Sequence, residues 1–350
     1  MYGIGFLALD VVRNAMRKTS VHAFAGGTCG NVLAVLTYLG WNAYPIARLN
    51  GDAASERVKN DLRDVGVMLD LAECAPTVST PIVVQIIRRS ADGTSRHRFE
   101  WACPECGNAL PRFKPVPTHA VPTIAARMIN PSVFFMDRIS RSSLELAKIA
   151  AARGALVYLE PSEITDARLF GEALRVAHVV KYSNDRLGSL GHHAPRSGIL
   201  LEIQTLGSRG LVYRSRLTGN PAWVHLPAVL APILRDACGA GDWCSAGVIA
   251  RLGAAGLDGL FGAEQRDFAD ALRYGQTLAA WNCRFEGARG GMYRVKRSSF
   301  ARQVRAMLGT ATVSRGRERH RLGPLRTSLV PGVACPACPP PRPGRIPPHA

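Results

Sequence analysis

The chain has 350 residues, 47% of them hydrophobic and 20% charged, which is the balance of a globular protein with a large core. No apolar run approaches the roughly 18 residues of a membrane span, so we expect no membrane partner. Much of the net charge of +18 lies in residues 294–350, which contain twelve lysines and arginines but only one acidic residue. This pattern predicts a solvated tail and no specific nucleic-acid partner.

Short β-rich runs alternate with helical stretches from residue 3 to about residue 292. The β-rich runs lie at 3–12, 42–51, 132–137, 155–162, 177–183 and 199–207, and the helical stretches at 30–40, 55–67 and 142–154. Strands that alternate with helices in this way form βαβ units. The sequence therefore predicts an α/β fold with a mostly parallel sheet that helices cover on both faces.

One stretch interrupts the alternation. Residues 80–101 contain two β-rich runs around Asp92-Gly93, a dipeptide that favours a tight hairpin turn. We interpret this hairpin and the residues up to about 120 as a lid at the edge of the sheet. Residues 1–309 are then expected to form one domain, and the basic, proline-rich residues 310–350 a disordered tail.

The nine cysteines are scattered and odd in number, which indicates a reducing, cytoplasmic location rather than a disulfide framework. Cys103 and Cys106 lie in CPECG, a turn that zinc ribbons use because both thiolates converge on one metal ion. A structural zinc site, a metal-free turn and a redox role remain open alternatives. The residues that could complete a zinc site are His97, His119, Cys335, Cys338, or a second CPECG from another subunit.

The motif DACGAGD, residues 236–242, lies between an apolar run at 227–234, predicted to be a buried strand, and a helical stretch at 243–252. Gly239 and Gly241 allow close approach of the backbone, and the free N–H groups of a helix N-terminus favour a phosphate. Asp242 could cap the helix or act as a general base for phosphoryl transfer. Neither GxxxxGK[ST] nor a GxGxxG after a strand occurs, so no other nucleotide motif competes.

Four further motifs precede DACGAGD, in this order along the chain: GIGFLALDVV, GGTCGN, the Gly51-Asp52 pair and TLGSRG. Together they resemble the ribokinase-like (pfkB) family of sugar and nucleoside kinases, whose signature is DTxGAGD. The resemblance covers residues 3–292 and implies a three-layer α/β/α sandwich with a mostly parallel sheet and a small β lid. It also implies ATP as phosphoryl donor, Mg²⁺ and K⁺ as cofactors, and a homodimer joined through the lid.

The resemblance assigns a role to each matching residue. Asp242 would accept the proton of the substrate hydroxyl, and the amides of Gly239, Ala240 and Gly241 would form an anion hole. The residues that would contact the phosphate acceptor are Asp10, Gly26, Gly27 and Asn31. Those on the nucleotide side would be Thr205, Gly207, Gly210 and Asn282. Asp236, with the loop 287–290, resembles the family's monovalent-cation site.

KYSNDR, residues 181–186, departs from the family's NxxE motif, whose Glu helps to organise Mg²⁺ and phosphate. Ser183 and Arg186 stand where Asn and Glu would fall, unless Asn184 and Asp185 substitute by a shift of register. Arg186 is a charge reversal. We therefore expect altered handling of Mg-ATP, a changed phosphoryl donor or impaired chemistry.

The predicted function is ATP-dependent phosphorylation of a hydroxyl of a small sugar or polyol. One alternative is a nucleoside kinase of the same fold, which a more apolar acceptor pocket would favour. The other is a non-catalytic ligand-binding or regulatory protein, which would fit the altered NxxE motif and the basic tail.

Overall fold

The computed structural model describes residues 1–14, 21–89, 95–191, 198–218, 222–309 and Cys335. The strands, in chain order, are β1 (Tyr2–Ile4), β2 (Ala8–Asn14), β3 (Val21–Gly26), β4 (Tyr44–Leu49), β5 (Ala72–Cys74), β6 (Ile82–Arg89), β7 (Ser95–Glu100), β8 (Val133–Met136), β9 (Leu156–Leu159), β10 (Val179–Ser183), β11 (Leu201–Thr205), β12 (Leu211–Ser215) and β13 (Val224–Leu226). The helices are α1 (Thr28–Tyr38), α2 (Ala53–Asp64), α3 (Val121–Arg127), α4 (Arg141–Ala152), α5 (Ala167–Val176), α6 (Asn184–Leu187), α7 (Ala240–Leu252), α8 (Gly256–Phe261), α9 (Gln265–Asn282), α10 (Gly290–Arg294) and α11 (Arg297–Gly309).

The strands form two sheets. The main sheet has nine strands in the order β13-β12-β11-β10-β9-β8-β1-β4-β5, and its strands are parallel except for β12 and β13 at one edge. The second sheet has the order β3-β2-β6-β7 and contains the predicted hairpin β6–β7. This second sheet is the expected small β lid.

Helices cover both faces of the main sheet because successive side chains of its strands point to opposite faces. Phe135 and Tyr158 pack into one buried cluster, which also holds Trp243 of α7. Phe134 and Leu159, their neighbours along the strands, pack into the other buried cluster with residues of α3, α4 and α5. Two cores on opposite faces of one sheet make a three-layer α/β/α sandwich, so the predicted fold is confirmed. Within the described ranges, no helix combines the length and the apolarity that crossing a bilayer requires.

The predicted strand over residues 3–12 is two strands in two sheets. The chain leaves the main sheet after β1 and enters the lid at β2. The break lies where Gly5 meets Asp137, since a Cβ on Gly5 would be 1.7 Å from the Asp137 carboxylate. That carboxylate also accepts a hydrogen bond of 2.8 Å from the Phe6 amide. A continuous apolar run thus hides a transition between two sheets.

The prediction of a buried strand at 227–234 is wrong. These residues form an irregular segment between β13 and α7, and Leu230, Ile233 and Leu234 are 72%, 56% and 56% exposed. The segment leaves the edge strand β13, so no neighbouring strand offers it a hydrogen-bonding ladder among the described residues. The predicted tail 310–350 lies, apart from Cys335, outside the described residues.

Candidate active site

A cavity of about 300 Å³ lies between the carboxyl ends of β9, β10 and β11, the first turn of α7 and the lid. In parallel α/β sheets, ligands bind at this end of the strands. The cavity brings together predicted site residues from four separate stretches of the sequence. They are Asp10, Gly27, Asn31, Thr205, Gly239, Ala240, Gly241 and Asp242.

Asp242 lies in the first turn of α7 and is half-buried at the cavity. Its carboxylate accepts a hydrogen bond of 2.7 Å from the side-chain amide of Asn31 on α1. Burial, followed by the charge of Glu160, raises the pKa of Asp242 to about 8, against the opposing influence of Asn31 and Lys181. A carboxyl group with a pKa near neutrality is well matched to accept and return a proton at physiological pH.

The loop before α7 owes its shape to Gly239. This residue has φ 74°, the left-handed region, and a Cβ on it would lie 2.5 Å from the carbonyl oxygen of Ala288. The Ala240 amide donates to the carbonyl of Ala237 at 3.2 Å, so this predicted member of the anion hole already has a partner. The first turn of α7 nevertheless directs its positive dipole end toward the cavity.

Glu160 and Lys181 form an ion pair in front of this helix terminus, which sequence reasoning missed. Lys181 Nζ lies 2.5 Å from Glu160 Oε1, and the Lys181 side chain is 3% exposed. Although burial disfavours the charged amine, Glu160 raises the pKa of Lys181 above its ordinary value. A Cβ on Gly241 would lie 3.6 Å from both Lys181 Nζ and Glu160 Oε1. The buried cation therefore lies directly beside the predicted anion hole.

Two hydroxyl groups complete this network. Ser245 of α7 donates to Glu160 Oε2 at 2.5 Å, and Tyr158 donates to Ser245 at 3.2 Å. Both carboxylate oxygens of Glu160 therefore accept hydrogen bonds, one from Lys181 and one from Ser245, and this fixes the position of Lys181. The sequence could have indicated this pair, because Glu160 directly follows the predicted strand β9 and Lys181 lies within β10. Ligands of parallel α/β sheets bind at the carboxyl ends of such strands.

Asp10 on β2 occupies the lid side of the cavity. A Cβ on Gly26 would lie 1.9 Å from the Asp10 carboxylate, and one on Gly27, at φ 78°, would lie 2.3 Å from the carbonyl of Phe6. Both glycines of the GG pair are therefore required for close packing. Burial raises the pKa of Asp10 to about 7, partly offset by the charge of Arg289. Arg289 itself is buried against Asp61, at 2.7 Å.

The remaining lining includes aromatic and basic side chains. Phe6 is buried, whereas Phe99 and Trp101 on the lid are 38% and 40% exposed. Arg138 lies over the Phe6 ring at 4.9 Å and pairs with Asp137 at 3.0 Å. The cavity thus combines hydrogen-bonding groups at Asp10 and Asn31 with aromatic surface nearby.

Comparison with solved structures decides the fold. Fructokinase from Xylella fastidiosa with bound ATP has a TM-score of 0.67 and 17% identity, over 88% of this chain and 98% of that one. Aminoimidazole riboside kinase from Salmonella enterica, complexed with aminoimidazole riboside and an ATP analog, has a TM-score of 0.64 and 17% identity, over 87% and 99%. Ribokinase from Arabidopsis thaliana, complexed with ribose and ATP, has a TM-score of 0.63 and 17% identity, over 87% and 97%.

The chain has the ribokinase-like fold. No protein-family model and no curated protein sequence matches it. The similarity therefore lies in the arrangement of the elements, and the function must be argued from the cavity.

Within this ribokinase-like fold, two predicted site residues lie behind the cavity rather than on it. Asn282 is fully buried, and its side-chain amide donates to the carbonyl of Ala288 at 2.9 Å and accepts from the Gly291 amide at 3.1 Å. It does not line this cavity, because its polar atoms are directed at the backbone of the loop before α10. The loop that Asn282 fixes is the one that packs against Gly239.

Asp236 has a similar position. Its buried carboxylate accepts hydrogen bonds from the amides of Cys238 and Gly287, both at 2.9 Å, and from Gln85 of the lid at 3.3 Å. These contacts join the loop before α7, the loop 284–291 and the lid. The K⁺ site at Asp236 remains a prediction.

Of the residues predicted to lie on the nucleotide side, one lines the cavity and others lie away from it. Thr205, the last residue of β11, lines the cavity, whereas Gly207 and Gly210 lie in the turn that leads to β12. Gly210 has φ 98°, and a Cβ there would be 2.1 Å from the carbonyl of Leu226, so the turn itself requires this glycine.

Arg186 lines the cavity, and Ser183 accepts a hydrogen bond of 3.2 Å from the Asp185 amide at the start of α6. The substituted NxxE positions therefore do lie at the cavity.

Proposed function

We propose that the protein is an ATP-dependent kinase that phosphorylates a hydroxyl group of a small sugar or polyol. The observation that carries the proposal is the juxtaposition of three groups at one end of the cavity. A carboxyl group with a raised pKa, Asp242, lies in the first turn of a helix that points at the cavity, beside the buried cation of Lys181. Phosphoryl transfer to an alcohol needs a proton acceptor, stabilisation of phosphate charge and fixed geometry.

In the proposed reaction, the oxygen of the acceptor hydroxyl attacks the terminal phosphorus of ATP. The new O–P bond forms as the bond to ADP breaks, and the hydroxyl proton passes to Asp242. The N-terminal dipole of α7 and Lys181 stabilise the charge on the transferring group. Glu160 and Ser245 act as positioning residues, because they hold Lys181 in place.

The acceptor is held by groups of the lid and α1. Asn31 donates to Asp242 through its nitrogen, and its own oxygen Oδ1 is buried without a hydrogen-bond partner among the described residues. Unsatisfied buried acceptors are costly, so a hydroxyl of the substrate is a natural donor to Asn31. Asp10 lines the same cavity and can accept from a second hydroxyl. Two acceptors in one cavity can bind two hydroxyl groups of a polyol.

The carboxylates of the cavity only partly fit a protein-bound Mg²⁺. Arg186 places a positive charge where the family has its Glu, and Glu160 is engaged by Lys181 and Ser245. When bound with ATP, Mg²⁺ would neutralise phosphate charge. We propose that the phosphates supply most of its ligands and that Arg186 and Thr205 face the nucleotide. The K⁺ site, the lid-mediated homodimer and the cytoplasmic location remain predictions.

A nucleoside kinase is the second candidate, and one observation favours it. Phe6, Phe99 and Trp101 give the acceptor side of the cavity an aromatic surface. Aromatic side chains stack well on planar groups. An acceptor that carries a base on its sugar would stack that base on this surface, whereas a simple sugar would bind mainly through the polar groups and contact the aromatic surface only with its C–H groups.

The test is phosphate transfer from ATP to a panel of sugars, polyols and nucleosides, with Asp242→Asn measured in parallel. Loss of a general base should lower the rate by about 10²- to 10⁴-fold. Asp166→Asn, at the exposed N-cap of α5, is the matched control and should leave the rate unchanged. Equal rates for Asp242→Asn and the unaltered enzyme would exclude the base, and no transfer to any acceptor would favour the non-catalytic alternative.

A further inference from the structure

The CPECG segment adopts a tight turn with a thiol at each end. A bridge between Ala102 and Ala109 closes the turn, and the Cys103 amide donates to the carbonyl of Asn108 at 2.8 Å. The amide of Gly107 donates back to the carbonyl of Cys103 at 2.8 Å, and Gly107 has φ 75°, which only glycine adopts easily. The backbone therefore holds Cys103 and Cys106 on the same side of the turn.

A third thiol comes from the far end of the chain. Cys335 is buried, and its sulfur lies 3.7 Å from the sulfur of Cys106 although 229 residues separate them. The sulfurs of Cys103, Cys106 and Cys335 all lie within 4.8 Å of one another. The proposed kinase activity does not use this cluster of thiols.

The separation of the sulfurs fits one metal ion. A tetrahedral zinc ion with Zn–S bonds of about 2.3 Å places its ligand sulfurs about 3.8 Å apart. A disulfide, in contrast, needs about 2.05 Å. The distance of 3.7 Å between Cys106 and Cys335 is too long for a disulfide and matches the separation of two sulfurs on a common tetrahedral ion.

We propose that Cys103, Cys106 and Cys335 bind a structural Zn²⁺ ion that fastens the C-terminal segment to the lid insert. Soft thiolates select Zn²⁺, and a structural site is closed by four protein ligands. The sequence offers the fourth in Cys338, since Cys335-Pro-Ala-Cys338 repeats the spacing of Cys103-Pro-Glu-Cys106. Cys338 lies outside the described residues, and its substitution tests this assignment. Each thiol loses its proton when it binds the ion.

The site has a consequence for the cavity. Trp101, two residues before Cys103, lines the cavity, and its ring lies 6.0 Å from that of Phe6. On the other side of the turn, Phe113 packs edge-on against the same Phe6 ring at 6.3 Å. Arg13 of β2 pairs with Glu105 at 3.1 Å and joins the turn to the lid sheet. An ion at the turn would therefore stabilise the wall of the cavity on which the acceptor rests.

The test is the metal content of the full-length protein, purified without added metal and measured by elemental analysis. We expect one zinc per chain in the unaltered protein and in Cys74→Ser, which removes an exposed cysteine outside the cluster. Cys103→Ser, Cys335→Ser and Cys338→Ser should each lose the ion. A fall in the melting temperature should accompany the loss.

A second measurement does not depend on the folding of any variant. Cobalt exchanged into the unaltered protein should give the sulfur-to-metal charge transfer and intense visible bands of a tetrahedral thiolate site. Four outcomes would overturn the proposal: no bound metal with cysteines that react freely, iron in place of zinc, a Cys106–Cys335 disulfide in the reduced preparation, or zinc retained in Cys335→Ser.

Discussion

The cavity has two walls of different character. The main-sheet wall consists of Glu160, Lys181, Gly241 and Asp242, and the lid wall of Phe99 and Trp101 with Phe6 beneath them. Lys181 is 3% exposed and belongs to a chain of hydrogen bonds that ends at Tyr158. Trp101, in contrast, is 40% exposed.

Under the proposed function, this difference assigns the chemical step to the main-sheet wall and substrate selection to the lid wall. A buried, fully paired network keeps charges in fixed positions, which electrostatic stabilisation of a transition state requires. An exposed aromatic surface contributes area and shape and can accommodate different acceptors. We therefore expect substitutions on the main-sheet wall to affect stability and kcat, and substitutions on the lid wall to affect KM for the acceptor.

The largest effect is expected from Lys181→Met. This change leaves the Glu160 carboxylate buried without its cation, and breaking a buried pair from one side costs about 3–5 kcal/mol. Unfolding in urea measures the loss. Glu160→Gln added to Lys181→Met should restore most of the stability, whereas kcat should stay low.

The control for this variant is Arg168→Ala. Arg168 pairs with Glu172 at 3.7 Å, but its side chain is 87% exposed. Such surface pairs contribute about 0–1 kcal/mol. Equal losses in the free energy of unfolding for Lys181→Met and Arg168→Ala would show that burial does not strengthen the Lys181–Glu160 ion pair.

The next effect compares two glycines of the GAGD loop. Gly241→Ala adds a methyl group 3.6 Å from Lys181 Nζ, an ordinary contact, so the protein should fold normally. The methyl group occupies space beside the cation, and kcat should fall by about 10²-fold, the order of effect of one lost oxyanion contact. Steady-state kinetics and thermal unfolding measure both quantities.

Gly239→Ala should behave differently. A Cβ there would lie 2.5 Å from the carbonyl oxygen of Ala288, and φ 74° is unfavourable for alanine. The melting temperature and the activity should therefore fall together. A Gly241→Ala protein that keeps full activity would contradict the position we give to the phosphoryl group.

A smaller effect is expected on the lid wall. Trp101→Ala removes aromatic contact worth about 0.5–1.5 kcal/mol, so KM for the acceptor should rise by about 2- to 10-fold with little change in kcat. Trp223→Ala is the matched control, because Trp223 is 41% exposed but does not line the cavity. A fall in kcat alone in Trp101→Ala would assign this residue to the chemistry instead.

The last expected effect concerns pH. The pKa of Asp242 is raised from 3.8 to about 8, so the folded protein holds this proton more tightly than the unfolded chain does. The stability contributed by the protonated group is complete below about pH 4 and is lost as the pH rises towards 8. Asp242→Asn, which keeps no titrating group, should gain melting temperature relative to the unaltered protein across this interval.

Thermal unfolding between pH 4 and 9 measures this gain. Asp166→Asn, at an exposed helix N-cap, should show no such trend with pH. A constant difference between Asp242→Asn and the unaltered protein at every pH would mean that Asp242 is not buried in its protonated form.

Predictions from the sequence were most accurate where the signal is contiguous. The alternation of β-rich and helical runs predicted the parallel sheet, and DACGAGD predicted the loop that enters α7 at the cavity. The prediction of a buried strand at 227–234 failed, because an apolar run does not reveal whether a neighbouring strand is available for hydrogen bonding. The place of Asn282 on the nucleotide side stays a prediction, and the motif did not reveal that its side chain is hydrogen-bonded to the loop behind Gly239.

The sequence by itself determined the layers of the fold and the place of the 236–242 loop at the start of α7, because local periodicity and a short motif both reside in consecutive residues. The tertiary structure alone decided which side chains meet. Lys181 and Glu160 are 21 residues apart, Asn31 and Asp242 are 211 apart, and Cys106 and Cys335 are 229 apart. Such pairs depend on how strands and helices pack, and no spacing along the chain encodes that packing.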